Sequence, residues 1–337
     1  MSNPVLVEVE RGHQLESCHR GAVAVVDAHG RSPLGLGDGA RPIFPRSAVK
    51  ALQALPLIET GAADRYGLGD EELALATSSH SGELAHVAGV ERMLKRCGVD
   101  ATALACGIHW PLNQASAHAL VRSGRQPSTL HNNCSGKHAG FVCVACAAGV
   151  PYADYVSPAH PVQREVKALI EDLAGMRLGE AAIDGCSVPT WAVPLTNLAQ
   201  AFARFGTGQG LAPARARAAA RLRAACAAKP FFAAGTGRFC TVLMQALGER
   251  LYVKGGAEGV LCAALPQQGL GIAVKCEDGA ARGAEVVMAA LIARFLPLDA
   301  ADRRVLDDWM RPALRNWNGI KVGALRPVAP LTSAIRD

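Results

Sequence analysis

The sequence predicts an α+β fold in which strands from both ends of the chain build one antiparallel sheet around a helical middle. Three observations carry this expectation. The first 30 residues read as strands, residues 71–228 are rich in alanine and leucine at helical spacing, and short apolar runs return from about residue 250. Strands, then helices, then strands is the order of an α+β chain rather than of alternating βα units.

Each element has its own signal. Residues 5–10 alternate apolar and acidic side chains, and the apolar run 21–26 stops at Asp27-Ala28-His29-Gly30, a turn sequence. From Ser47 the period changes: Val49, Leu52, Leu55 and Ile58 recur every three residues, and Pro56 is expected to kink or shorten that helix. Residues 250–254 run into Gly255-Gly256, and the apolar runs 259–265 and 269–276 are joined by Pro266-Gln267-Gln268, as in a hairpin. An apolar helix over 283–296 ends at Pro297. With no internal repeat and no low-complexity linker, the expectation is one domain over residues 1–337. Its sheet subregion covers about 1–45 and 235–300, and its helical subregion about 70–230. Beyond about Ala300 no motif stands out.

Composition excludes several classes. The 337 residues are 50% hydrophobic and 19% charged, too apolar and too weakly charged for a disordered chain. A net charge of +6, dispersed along the chain, makes no nucleic-acid footprint. The start, Met1-Ser2-Asn3-Pro4, lacks a secretory pattern, and the longest apolar stretch, 139–150, is short of the ~20 residues of a membrane span. Eleven cysteines in so long a chain point to reduced thiols and a cytoplasmic protein rather than a disulfide scaffold.

The chemistry lies in three short motifs in order. Ser47-Ala48-Val49-Lys50 places a serine and a lysine one helical turn apart, and a neutral lysine can take the proton of a serine nucleophile. Ser79-His80-Ser81 occupies a polar loop before a helix, and Lys254-Gly255-Gly256 closes a strand where small residues leave room for a substrate. The order is that of S-x-x-K, S-x-N and K-T-G in serine β-lactamases and penicillin-binding proteins, with Ser81 for the asparagine and Gly255 for the threonine. Two ammonium groups about 5 Å apart repel by roughly 3 kcal/mol at an effective dielectric of ~20, so such a cluster favours one neutral lysine. The structural alternative is that Ser47 caps a helix and Lys50 is solvated.

A second constellation runs through Asn132-Asn133-Cys134-Ser135-Gly136-Lys137-His138, with Asp184-Gly185-Cys186 downstream. Two cysteines, a histidine, a lysine and an aspartate could converge on zinc, although the same cysteines and His138 could equally be core residues. The segments around Ser47, Ser79, Cys134, Cys186 and Lys254, supported by Gly235-Thr236-Gly237-Arg238-Phe239-Cys240, together resemble the rhizobial-type (class 3) L-asparaginases from about Val5 to about Arg282. That resemblance implies a serine-β-lactamase-like fold, a homodimer, and hydrolysis of L-asparagine to L-aspartate and ammonia. It implies Ser47 as nucleophile paired with Lys50, Ser79 paired with Lys254, and zinc on Cys134, Lys137 and Cys186. Asp184 would support Lys137 or the substrate; Arg46, Ser81 and His138 complete the expected substrate contacts. Lysine is an unusual zinc ligand because it must lose its proton, and from chemistry alone His138 is the more natural donor.

Other signals are weaker. Cys143-Val144-Ala145-Cys146 sits in an apolar run and reads as packing rather than a redox motif. Gly206-Thr207-Gly208-Gln209-Gly210 follows a helical pattern and reads as a loop, and Arg215, Arg217, Arg221 and Arg223 as a solvated helix face. Rival functions are a glutaminase or other serine amidase on the same fold, a zinc hydrolase in which metal-bound water attacks, and a binding module without catalysis. Neither a nucleic acid nor a membrane is an expected partner.

Overall fold

The computed structural model describes residues 2–332; the ends of the expected 1–337 domain lie outside the described residues. The chain divides into two compact units. One comprises residues 1–48, 193–207 and 253–337, the other 49–192 and 208–252.

The first unit holds the expected sheet. Its strands are β1 (Val5–Arg11), β2 (Gln14–Asp27), β3 (Leu34–Leu36), β4 (Tyr252–Gly255), β5 (Val260–Leu265), β6 (Leu270–Cys276), β7 (Ala313–Arg315) and β8 (Lys321–Pro327). They run in the order β7-β8-β1-β2-β6-β5-β4, with β3 also paired to β2. Strands from the two ends meet where β6 pairs antiparallel with β2, Ala273 opposite Ala24. Residues of both parities in β5 and β6 are buried, so both faces of the sheet centre are covered and the alternation of an exposed sheet is lost there. Helix Leu195–Thr207 packs on β2, β5 and β6, and helix Ala281–Phe295 on β1, β5, β6 and β8. Residues 300–327 extend the sheet: helix Ala300–Met310 leads to β7 and β8, and β8 pairs with β1 through Leu325 opposite Val9. Lys321–Pro327 is mostly half-exposed, and its apolar run of four residues is too short to mark it as a strand.

The second unit is helical. Its central helix, Ser135–Ala147, is buried from Ser135 through Ala145, which is why its sequence is apolar on every side instead of striped. Helices Leu55–Glu59, Asp70–Ala76, Leu84–Arg96 and Pro161–Ala174 surround it. The segment after Ser47 forms two short helices, Lys50–Gln53 and Leu55–Glu59, interrupted just before Pro56. Arg215 does not lie on a merely solvated face: on helix Pro213–Ala228 it is mostly buried and pairs with Glu59 and Asp172. Among the described residues, no helix is long and apolar enough to cross a membrane.

Candidate active site

In the first unit, Ser47 lies in a short 3₁₀ turn, Arg46–Val49, and is partly exposed. Arg46 opens the turn at φ 51°, a left-handed conformation that a bulky side chain adopts only when its surroundings impose it. The turn packs against the end of β4. A Cβ added at Gly256 would lie 2.7 Å from the Pro45 carbonyl oxygen and 3.1 Å from the Ala48 nitrogen, so the second glycine after Lys254 admits the backbone that carries Ser47. Lys254 is 2% exposed and its Nζ donates to the Gly255 carbonyl at 2.7 Å. Arg46 also lines a cleft of about 440 Å³ together with Asn3, Asp38, Arg41, Lys275 and Glu277, a wall of mixed charge.

In the second unit, Lys50 is fully buried at the start of its helix. Its Nζ donates to the Ser78 carbonyl at 2.6 Å, to Ser79 Oγ at 2.9 Å and to Cys134 Sγ at 3.1 Å. Three polar atoms thus surround the Lys50 nitrogen. The sequence motifs pair Lys50 with Ser47 and Lys254 with Ser79. Within the second unit Lys50 bonds Ser79 directly, and in the first unit Lys254 lies with the Ser47 turn.

Cys134 precedes the central helix, its backbone N–H held by Asn132 Oδ1 at 2.8 Å. The start of this helix needs a glycine at position 136: an added Cβ would lie 2.3 Å from the Leu75 carbonyl oxygen. That close approach seats Lys137, 2% exposed, with its Nζ 3.0 Å from Cys186 Sγ. Cys186 sits on the turn between strands Ala182–Ile183 and Pro189–Thr190, where Ser187 takes φ 75° and the Asp184 N–H bonds the Val188 carbonyl. Asp184 Oδ2 accepts from Cys186 Sγ at 3.5 Å. A hydrogen bond from Cys186 holds the Cys134 thiol well below the usual thiol range, against burial and aided by the charges of Lys50 and Lys137. The same bond, then burial, pushes Cys186 up. Burial works against the charge of Lys137, but Cys186, Cys134 and Asp184 outweigh it and hold its Nζ above the usual ammonium value.

Sequence reasoning gave no role to His80 or Glu83 and expected substrate contacts of Ser81 and His138; all four hold this site together. His80 Nδ1 accepts the Gly82 N–H at 3.1 Å, which leaves its Nε2 to donate to Ser135 Oγ at 2.8 Å. Burial first, then His86 and Lys50, push His80 well below the usual imidazole range, so it is a neutral brace between the Ser79 loop and the central helix. His138 is fully buried and its Nδ1 lies 2.5 Å from Tyr155 Oη, while Lys137 is the neighbour that reaches the thiols. Ser81 Oγ donates to the Ala234 carbonyl at 3.1 Å, and Glu83 accepts from the Thr236 N–H and hydroxyl at 2.9 and 2.7 Å. The loop Gly235-Thr236-Gly237 is thereby fastened beside Ser81. No spacing rule signals the contacts to Ser135, Ala234 and Thr236, because those partners come from distant parts of the chain.

Several solved structures are similar at low identity. A β-lactamase from Mycobacterium bovis shows a TM-score of 0.40 and 11% identity, over 86% of this chain and 94% of that one. Simvastatin synthase (LovD, a mutant form) from Aspergillus terreus shows a TM-score of 0.39 and 12% identity, over 76% and 86%. Mglu shows a TM-score of 0.35 and 16% identity, over 79% and 64%. No curated protein matches by sequence. The family comparison extends from Val7 in the first strand to Pro327 in the last, and so takes in the Ser47 turn, the Lys50–Ser79–Cys134 cluster, the Cys186 hairpin and Lys254. Over residues 7–327 the sequence matches L-asparaginase II, and the chain belongs to that family of amidohydrolases.

Proposed function

We propose that the protein hydrolyses L-asparagine to L-aspartate and ammonia with Ser47 as nucleophile. The observation that carries this reading is the buried bond from Lys50 Nζ to Ser79 Oγ at 2.9 Å, a serine–lysine relay three residues beyond Ser47 in a chain of asparaginase type. Ser47 Oγ attacks the side-chain amide carbon and its proton passes to Lys50, which accepts it in its neutral form beside Ser79. The amide nitrogen leaves as ammonia after taking up that proton, and the resulting β-aspartyl ester is cleaved by water along the same path. Lys254, charged, would face the developing oxyanion or the substrate carboxylate. Arg46 and the mixed charges of its cleft suit the carboxylate and ammonium of an amino acid.

Zinc is the proposed metal. Among the described residues no group of three or more His, Cys, Asp or Glu side chains is arranged to hold an ion, so the site depends on lysine as the third donor. The donor set fits: Cys134 and Cys186 are hydrogen-bonded to one another, and Lys137 Nζ lies 3.0 Å from the second sulfur. Bound there, zinc would supply positive charge that favours the deprotonated forms of Cys186 and Lys137, and could orient a polar substrate group. The chain's own part is to hold those donors buried, with Asp184 behind Cys186. A homodimer is the proposed assembly, for which Leu84, Ile108, Trp110 and Leu112 supply exposed apolar area. The eleven free thiols accord with the cytoplasm.

Ammonia release from asparagine and from glutamine by the purified chain tests the reading, together with Ser47→Ala. Asparagine turnover that is lost in Ser47→Ala supports it. Near-normal turnover in that variant with loss on metal removal assigns the chemistry to metal-bound water instead. Preference for glutamine changes the substrate and keeps the mechanism, since one methylene is discriminated by only about 1–3 kcal/mol.

A further inference from the structure

Three cysteines outside the site converge at the opposite end of the central helix. Cys143 and Cys146 lie on helix Ser135–Ala147, and Cys97 caps helix Leu84–Arg96. Cys143 Sγ donates to Cys97 Sγ at 3.6 Å, and Cys97 is hydrogen-bonded to Cys146 as well. The sequence offered Cys143 and Cys146 as packing; it could not show that a third thiol, 46 residues away, completes the group.

We propose that Cys97 is a peroxide-reactive cysteine and that Cys143 or Cys146 resolves it as a disulfide joining the two helices. Exposure, charge and distance each bear on this. Cys97 and Cys146 are partly exposed, and Cys143 is buried, so an oxidant of the size of hydrogen peroxide reaches Cys97 while the partner sulfur is already in van der Waals contact. Hydrogen bonds from Cys143, above all, and from Cys146 lower the Cys97 thiol below its usual range against the opposing effect of burial, whereas Cys143 and Cys146 are raised. The reactive and resolving roles are thereby divided among the three.

The chemistry balances with peroxide as the oxidant. The Cys97 thiolate attacks one peroxide oxygen, the O–O bond breaks, and hydroxide leaves a sulfenic acid on Cys97. The sulfur of Cys143 or Cys146 then attacks the Cys97 sulfur, the S–O bond breaks, and the departing hydroxide takes the thiol proton to leave as water. Two thiols are oxidised by two electrons and one peroxide is reduced.

The test is hydrogen peroxide treatment of the full native chain, alkylation of the remaining thiols, and tryptic mass spectrometry. The expected product links the peptide that starts at Cys97 to the one that holds Cys143 and Cys146, two hydrogens lighter than the sum of its parts. Fragmentation within the linked pair then identifies the partner. Cys97→Ser abolishes the link; Cys143→Ser leaves the link to Cys146 and checks that loss in the first variant is not a folding defect. The proposal is overturned if peroxide leaves Cys97 as a free thiol, carries it to the sulfonic acid without a linked species, or joins it only to some other cysteine such as Cys106.

Discussion

Lys50 Nζ lies 3.1 Å from Cys134 Sγ, so the Lys50–Ser79 pair and the thiol pair are one hydrogen-bonded cluster rather than two neighbouring groups. The lysine donates to a carbonyl, a hydroxyl and a sulfur at once, and any change in the charge of the thiol pair acts directly on it. In a buried network of this kind the members act as a unit, and removal of one costs more than its share.

Lys50→Met tests that coupling. Methionine keeps much of the volume but none of the donors, so the Ser78 carbonyl and Ser79 hydroxyl lose a partner in the interior. Stability is expected to fall by about 1–3 kcal/mol for the buried hydrogen bonds lost. Asparagine turnover is expected to fall by about 10²–10⁴-fold, the range for loss of a positioned base. Urea unfolding and steady-state kinetics measure the two effects separately. Retention of full activity in a folded Lys50→Met protein removes Lys50 from the relay.

Cys186→Ser addresses the metal. It deletes the sulfur that meets Lys137 and bonds Cys134, leaving Cys134, Lys137 and the Asp184 carboxylate. Zinc content by elemental analysis is expected to drop to well below one equivalent, while the circular dichroism of the helical unit stays the same. Equal zinc in the variant and in the parent chain would place the metal elsewhere.

Much of this was legible before the structure. The strands of both chain ends, the apolar helix after Cys134 and the three motifs all have short-range signatures, since periodicity and turn residues act within a few positions. Residues 313–327 were not legible as strands, because the edge strand β7 has only three residues and β8 is mostly half-exposed with a short apolar run. The partner of Lys50 was not legible either. Ser79 Oγ, Cys134 Sγ and Lys50 Nζ come from positions 29 and 84 residues apart, and only tertiary packing selects them. His80 reads in sequence as a polar residue of a site loop, yet both its ring nitrogens are engaged and it is fully buried.

Buried neutral histidines set a pH dependence. His80 is pushed down by burial, then by His86 and Lys50; His86 is pushed down by burial against its bond to the Phe231 carbonyl. Both are depressed in the folded state, so below the unfolded imidazole value of about 6.5 only the unfolded chain takes up these protons. Stability from this source is therefore complete above about pH 7 and declines as pH falls through 6.5. Each imidazole contributes a slope of up to about 1.4 kcal/mol per pH unit until its folded value is reached. Urea unfolding at pH 7.5, 6 and 5 measures the decline, and His80→Asn is expected to make it shallower. A parent chain equally stable at pH 7.5 and 5 contradicts the neutral assignment.

Gly235→Ala probes the loop fastened beside Ser81. Gly235 has φ 127°, where only glycine is at ease, and an added Cβ would lie 2.3 Å from Ser81 Oγ and 2.8 Å from Glu83 Oε1. Backbone strain of order 1–3 kcal/mol is expected from the conformation alone. The chain can relieve it by moving the loop, which breaks the bonds from Thr236 to Glu83 and from Ser81 to the Ala234 carbonyl. The two responses differ in the readout. A rigid loop lowers the thermal midpoint and leaves KM for asparagine unchanged. A displaced loop recovers part of the stability and raises KM, because Ser81 is freed from its anchor next to Ser79. The double variant Ser81→Ala, Gly235→Ala separates them: deletion of the clashing hydroxyl is expected to restore part of the lost stability, and an additive loss instead shows that the strain lies in the backbone and not in the contact with Ser81.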